Sequence, residues 1–249
     1  MLDRLSMVAT AVCRTACPLC SVKEFRQLHR GYHMPLADVE KLIRRCRESD
    51  CRYTRISPTG GEPLEWEHFA EASRMLSDAG IADELSLITS LTRPDVLESV
   101  IHLYGYIRVS LHPHNKAATV DLYRKYPDRI HVWAELHRRA PSRPVPNSLP
   151  AECVCPDTQG MVFGRMYTCN NAYSLALRLG VPVDDPEISC SLDDDFAEHW
   201  LSRRQSRFSQ RICSGCLANN RVWASRAADV HLSTYVEMPP DVPVHRGRQ

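Results

Sequence analysis

Three thiols stand close together near the start of the chain, in Cys13-Arg14-Thr15-Ala16-Cys17-Pro18-Leu19-Cys20, with C-x3-C-x2-C spacing. Three thiolates from one short loop can hold three corners of an iron–sulfur cube and leave the fourth iron without a protein ligand. An open iron can bind a small molecule, so the spacing points to chemistry rather than to a structural clip. Closed ferredoxin clusters take a fourth cysteine. Structural zinc also takes four ligands, commonly from paired C-x2-C units. A zinc loop completed by His29 or His33 is the competing reading of the spacing alone.

A second group is Gly60-Gly61-Glu62-Pro63. Paired glycines let a backbone approach a ligand closely and expose its polar groups, and a carboxylate beside them can grip an ammonium. The plainer reading is a turn with a solvated glutamate. Further along, His112 and His114 flank Pro113, and His131, Trp133, Glu135 and His137 alternate. Alternation puts the last four on one strand face. If that face turns inward, Glu135 can hold a polar substrate or move its proton; if outward, the four are solvated or helix-covered. Arg203, Arg204, Arg207 and Arg211 read as a solvated helix face, with a phosphate or nucleic-acid contact as the sharper alternative.

Elements that alternate must position these groups. Strands are expected at residues 6–12, 53–57, 85–89, 106–112 and 130–136. Helices are expected at 36–49, 65–79 (stopping at Gly80), 94–103 and 117–125. This alternation calls for a parallel α/β sheet or barrel with right-handed crossovers. In such folds the site gathers at the C-terminal ends of the strands. The cysteine loop, the Gly-Gly-Glu-Pro turn, Thr89-Ser90 and His112-Pro113-His114 each follow a strand and share that rim. Residues 141–150 are proline-rich and read as a linker. Beyond it, a hairpin is expected around Gly164, a helix over 171–179 ending at Gly180, and a helix over 194–207 with Asp193 as N-cap. The tail from Pro239 to Gln249 reads as frayed.

The cysteine triplet after a first strand, with Gly-Gly-Glu-Pro after a second, resembles the radical SAM superfamily over residues 6–136. The resemblance implies a partial TIM-like (β/α) barrel of about five or six parallel strands. It implies that Cys13, Cys17 and Cys20 hold a catalytic [4Fe-4S] cluster whose open iron chelates S-adenosylmethionine (SAM). Gly60, Gly61, Glu62 and Pro63 then meet the methionine amino group. Ser110, in Val109-Ser110-Leu111-His112, meets the ribose or carboxylate, and Thr89-Ser90 stands where the family often has Thr-Asn-Gly. His112 takes the place of a common acid and Leu19 that of a common aromatic.

The later cysteines add a second resemblance. By spacing alone, Cys153, Cys169 and Cys213-Ser214-Gly215-Cys216 suit either a closed cluster or structural zinc. Their arrangement around a hairpin is similar to the twitch form of the SPASM domain. That likeness implies an auxiliary [4Fe-4S] cluster on Cys153, Cys169, Cys213 and Cys216, with Cys155 competing for the first place. The organisation implied is a radical SAM barrel over 1–140, the linker, a small hairpin-plus-helix iron–sulfur domain over 151–230, and a tail over 231–249. Cys46 reads as core, while Cys51 and Cys190 have no assigned role.

Composition narrows the partners. At 249 residues the chain can bury a sizeable core, and a net charge of +1 gives no global field for nucleic acid or membrane. No apolar run approaches the roughly 20 residues that span a bilayer, and residues 1–12 lack a secretory pattern. A cytoplasmic location is expected, where eleven cysteines stay reduced. The resulting expectation is a radical SAM enzyme acting on a small polar metabolite. The reaction is an alcohol oxidation, with flavodoxin or ferredoxin as electron donor and the auxiliary cluster as electron sink. Modification or isomerisation of a peptide or a nucleoside base is an alternative, although few residues precede Cys13 to form a peptide-binding module. A metal-stapled binding protein without catalysis is the remaining one.

Overall fold

The cysteine-bearing loop leaves the first of five parallel strands. The structure is a computed structural model that describes residues 2–15, 20, 22–134, 158–193 and 236–246. Strands β1 (Leu2–Thr10), β2 (Tyr53–Gly60), β3 (Ala82–Thr89), β4 (Tyr104–Leu111) and β5 (Ile130–Ala134) lie side by side. Between them run α1 (Lys23–Leu28), α2 (Leu36–Glu48), α3 (Phe69–Ala79), α4 (Pro94–Glu98) and α5 (Lys116–Lys125). After residue 157 come β6 (Thr158–Val162), β7 (Arg165–Tyr167), α6 (Ala172–Leu179) and β8 (Ser189–Ser191), and β9 (Val244–Arg246) is the last element among the described residues. The sheet order is β8-β7-β6-β1-β2-β3-β4-β5-β9. β6 and β9 extend the parallel set, whereas β7 and β8 are antiparallel. The architecture is the parallel α/β sheet that the strand–helix alternation predicts, in the partial-barrel form the resemblance implies. Among the described residues it has seven parallel strands rather than five or six, because β6 and β9 join its two sides.

One face of this sheet carries the main core. Leu5, Met7, Ile56, Leu87, Ile107, Val109, Ile130 and Val132 are buried beneath Val39 and Leu42 of α2, Phe69 and Leu76 of α3, and Leu122 of α5. Each such side chain contributes about 1.5–3 kcal/mol. Cys46 belongs to this core, as expected, and burial pushes its thiol up to about 12. Cys51 and Cys190 are buried in the same cluster. On the opposite face, Phe25 of α1 and Ala172, Tyr173 and Leu175 of α6 cover Val8 and Val162. Over β2–β5 no described helix covers that face.

Several boundaries differ from the sequence reading, each for a local reason. β1 ends at Thr10 because the hydroxyl of Thr10 takes the amide of Val12 at 3.0 Å, and Ala11 N–H turns to Tyr32 O at 2.9 Å. The expected helix at 65–79 begins only at Phe69, after a 3-10 turn over Pro63–Glu65. Trp66 pulls the chain off the helix by donating its indole N–H to Met34 O at 2.8 Å. The helix expected over 94–103 splits into α4 and a 3-10 turn at Ile101–Leu103. Tyr104 must already be extended there to pair with Leu85. The hairpin forms as read, turning at Phe163 and Gly164 with φ of 51° and 64°, the left-handed pair of a type I′ turn. The helix expected over 194–207 lies outside the described residues.

The tail is corrected outright. Instead of fraying from Pro239, it lays β9 along β5, which would otherwise present an open strand edge. Val242 is 3% exposed and joins the core. The exposed Arg124–Asp241 pair, 2.9 Å apart, adds little. Deleting residues 239–249 removes the burial of Val242, about 1.5–3 kcal/mol. Tm is therefore expected to fall by roughly 5 °C or more in a thermal melt, and an unchanged melt would show that the strand contributes nothing. No helix among the described residues is long and apolar enough to cross a membrane.

Candidate active site

The cysteine loop is pinned at its base. Ala9 O accepts from Met34 N–H at 2.7 Å, and Thr10 donates its hydroxyl to Tyr32 O at 3.0 Å. The outgoing strand and the returning segment therefore leave and re-enter the sheet together. Cys13 and Cys20 are half-buried free thiols, and Cys17 lies outside the described residues. The guanidinium of Arg26, on α1, reaches both. It donates to Cys13 O at 2.7 Å, Thr15 O at 3.3 Å and Cys20 Sγ at 3.7 Å. Burial pushes the Cys13 thiol above its ordinary value; a bound metal removes that proton outright. Soft, reduced, partly accessible sulfurs gathered on one short loop fit an iron–sulfur cluster. Among the described residues, which hold two of the triplet, no group of three or more ligating side chains is assembled.

The glycine pair meets this loop backbone to backbone. Gly61 N–H donates to Thr10 O at 2.6 Å and Glu62 N–H to Val12 O at 2.7 Å. A Cβ on Gly61 would stand 2.1 Å from Val12 O, and one on Gly60, whose φ is +112°, 2.4 Å from Thr10 O. The glycines thus let the end of β2 grip Thr10 and Val12 just before Cys13, a contact that spacing alone does not reveal.

Glu62 is not a solvated turn residue. It is 1% exposed. Its carboxylate accepts from the Thr89 hydroxyl, from Ser90 N–H at 2.6 Å and from Leu64 N–H at 3.3 Å. Burial outweighs these donors and raises its pKa above the ordinary 4.5. The expected Thr89-Ser90 pair is therefore brought to Glu62, joining the ends of β2 and β3, and Pro63 is buried beside them. The next tie is Asn115, a residue that the sequence reading missed. Its side chain accepts from His112 N–H at 2.8 Å and donates to Ser90 O at 2.7 Å and Ser110 O at 2.9 Å. These contacts close a capping box between His112 and Asn115, but His-x-x-Asn is not the Ser/Thr-x-x-Glu/Gln signature that marks one in a sequence. His112 is buried and stacks on exposed His114, with ring centroids 5.3 Å apart. A cavity of about 400 Å³ lies between these loops, lined by Arg14, Thr15, Glu65, Leu91, Thr92, His114 and Asn115 among others.

Below the rim, the face of β2–β5 turned away from the helices is polar. Ser6 and Thr59 share a hydrogen bond of 2.8 Å, Ser57 bonds Ser86, and Arg55 donates to Glu84 at 2.8 Å. Tyr106 stacks on His131 at 4.4 Å, and Arg108 lies 4.2 Å over the Trp133 ring. Because Ile130 and Val132 pack in the main core, the alternation places His131 and Trp133 on this face, the inward alternative of the sequence reading. β9 adds His245 against Trp133 at 5.4 Å. Ile88, in the middle of this face, is 44% exposed, whereas Ser86 beside it is buried. Glu135 and His137 lie outside the described residues, as do Cys153, Cys155, Cys213, Cys216 and the four arginines. Cys169 is half-buried between β7 and α6 and packs on the smaller core.

Comparison with known proteins agrees with this geometry. The family profile described as Radical SAM superfamily matches residues 7–143. The crystal structure of BtrN in complex with AdoMet and 2-DOIA superposes with a TM-score of 0.62 at 14% identity, covering 88% of this chain and 90% of that one. SeMet BtrN in an open conformation superposes at 0.57 and 13% identity, covering 86% and 87%. These likenesses establish the fold. No curated protein sequence matches the chain.

Proposed function

Because this chain belongs to the radical SAM superfamily, we propose that it oxidises an alcohol group on a small polar metabolite. In this reading Cys13, Cys17 and Cys20 hold a [4Fe-4S] cluster, and Cys153, Cys169, Cys213 and Cys216 hold an auxiliary one that accepts an electron. With SAM bound, the first cluster supplies a 5′-deoxyadenosyl radical able to take hydrogen from an unactivated C–H bond. The protein's part is positioning and a sheltered cavity. Gly60 and Gly61 bring the β2 end onto the cysteine loop, Glu62 and Asn115 lock the strand ends around it, and backbone groups of this rim meet the methionine moiety. Ser110 and His112 border the adenosine. His114, exposed on the rim, and Glu135 hold the substrate or take its hydroxyl proton.

The observation that carries the substrate class is the polar face of β2–β5 under the rim, built from Ser57, Ser86, Arg55, Glu84, Tyr106 and Arg108. These groups are only partly satisfied by one another, and an apolar substrate would strip their remaining water and return no hydrogen bond. The fold shared with BtrN, whose crystal structure holds AdoMet and 2-DOIA, fits a small polar substrate beside SAM. A flavodoxin or ferredoxin in the cytoplasm is the proposed electron donor. The test is anaerobic reconstitution, reduction and incubation with SAM, with Cys17→Ala as blank. 5′-Deoxyadenosine should form, increase with candidate polyols, and accompany a ketone product. Iron of about eight per chain is expected for two cubes. Absence of 5′-deoxyadenosine would refute the reading, and iron of about four would remove the auxiliary cluster.

A further inference from the structure

The most informative group outside the family motifs is Arg26. It lies on α1, whose neighbouring Phe25 is buried in the aromatic cluster with Tyr32 and Tyr173. Glu24 on the same helix pairs with Arg178 of α6 at 2.8 Å. These contacts fix the helix, and the helix aims one guanidinium at the cysteine loop. The fork is divided. One terminal nitrogen holds Cys13 O at 2.7 Å, and the other spans Thr15 O at 3.3 Å and Cys20 Sγ at 3.7 Å. A planar, permanently charged fork suits such a divided grip, which a lysine ammonium cannot reproduce. The first and third cysteines of the triplet are thus held by one side chain, with a positive charge against a sulfur. Hydrogen bonds to ligand sulfurs and nearby charge set the potential of iron–sulfur clusters, and such outer partners also orient the ligands.

We propose that Arg26 is a positioning residue. It preshapes the Cys13–Cys20 loop and, through its charge on Cys20, makes the cluster held there easier to reduce. This rests on the reading of Cys13, Cys17 and Cys20 as cluster ligands. The full chain, reconstituted anaerobically, is compared as wild type, R26Q and R26K. Iron per chain is measured, together with a redox titration followed by the electron paramagnetic resonance signal that changes on adding SAM. At the wild-type midpoint, R26Q should show a reduced-to-oxidised ratio about tenfold lower, equivalent to ~59 mV for a one-electron couple. R26K keeps the charge but not the fork. Its midpoint ratio should stay within about twofold of wild type while its iron content falls. If R26Q retains too little iron to titrate, the R26K midpoint decides. An R26Q ratio within twofold of wild type, or an R26K ratio displaced about tenfold, overturns the proposal. A wild type without any SAM-responsive signal overturns the functional reading instead.

Discussion

Gly61→Ala is expected to empty the N-terminal loop of iron and to reduce 5′-deoxyadenosine formation by about 100-fold or more, the scale on which a displacement of about 1 Å acts at a reacting centre. The new Cβ would meet Val12 O at 2.1 Å, Val12 C at 2.7 Å and Ala11 C at 3.0 Å. All three atoms are backbone, so no rotamer change relieves the overlap. The ends of β1 and β2 must part, which breaks the bonds from Gly61 N–H to Thr10 O and from Glu62 N–H to Val12 O. The two bonds account for about 1–3 kcal/mol of stability, and the overlap adds to that. The functional loss is larger than the stability loss, because Val12 is the residue before Cys13. Iron content and 5′-deoxyadenosine assays on the same preparation check this. A variant with normal iron and normal turnover would show that the backbone contact between these strands does not position the loop.

The parts of this fold that were legible in the sequence are those whose chemistry is local. Cys13, Cys17 and Cys20 stand on one loop, and Gly60-Gly61-Glu62-Pro63 is contiguous. The alternation of strands and helices follows from apolar spacing over short windows. What could not be read depends on neighbours distant in sequence. Glu62 looked like a ligand-gripping carboxylate, but its environment comes from Thr89 and Ser90 on the next strand. A lone arginine after a cysteine loop carries no signal, yet Arg26 reaches back across it. The side to which His131 and Trp133 turn is set by the packing of Ile130 and Val132 in the main core, where α5 lies against β5, and alternation alone does not carry it. The residues Val244–Arg246 carry no strand pattern of their own and become a strand only because β5 offers an edge.

Glu62 carries the second large expectation. Glu62→Ala is expected to lower stability by roughly 3 kcal/mol or more, because three buried donors lose their acceptor at about 1–3 kcal/mol each. The donors are the Thr89 hydroxyl, Ser90 N–H and Leu64 N–H, so the ends of β2 and β3 come loose together and 5′-deoxyadenosine formation falls with them. Glu62→Gln separates charge from shape. It keeps the side-chain volume but turns an NH2 toward a donor. The carboxyl of Glu62 has a pKa raised above 4.5 by burial, against the lowering effect of its donors. A carboxyl raised on folding binds its proton more tightly in the native state. It therefore contributes stability that is present below the ordinary value and is lost as pH rises through the raised one. Glutamine has no such dependence. The stability advantage of wild type over Glu62→Gln should thus be greatest below pH 4.5 and narrow toward neutrality in paired denaturant titrations. A gap that widens with pH would mean that the three donors outweigh burial, and that the rim is held by a carboxylate whose pKa lies below its ordinary value.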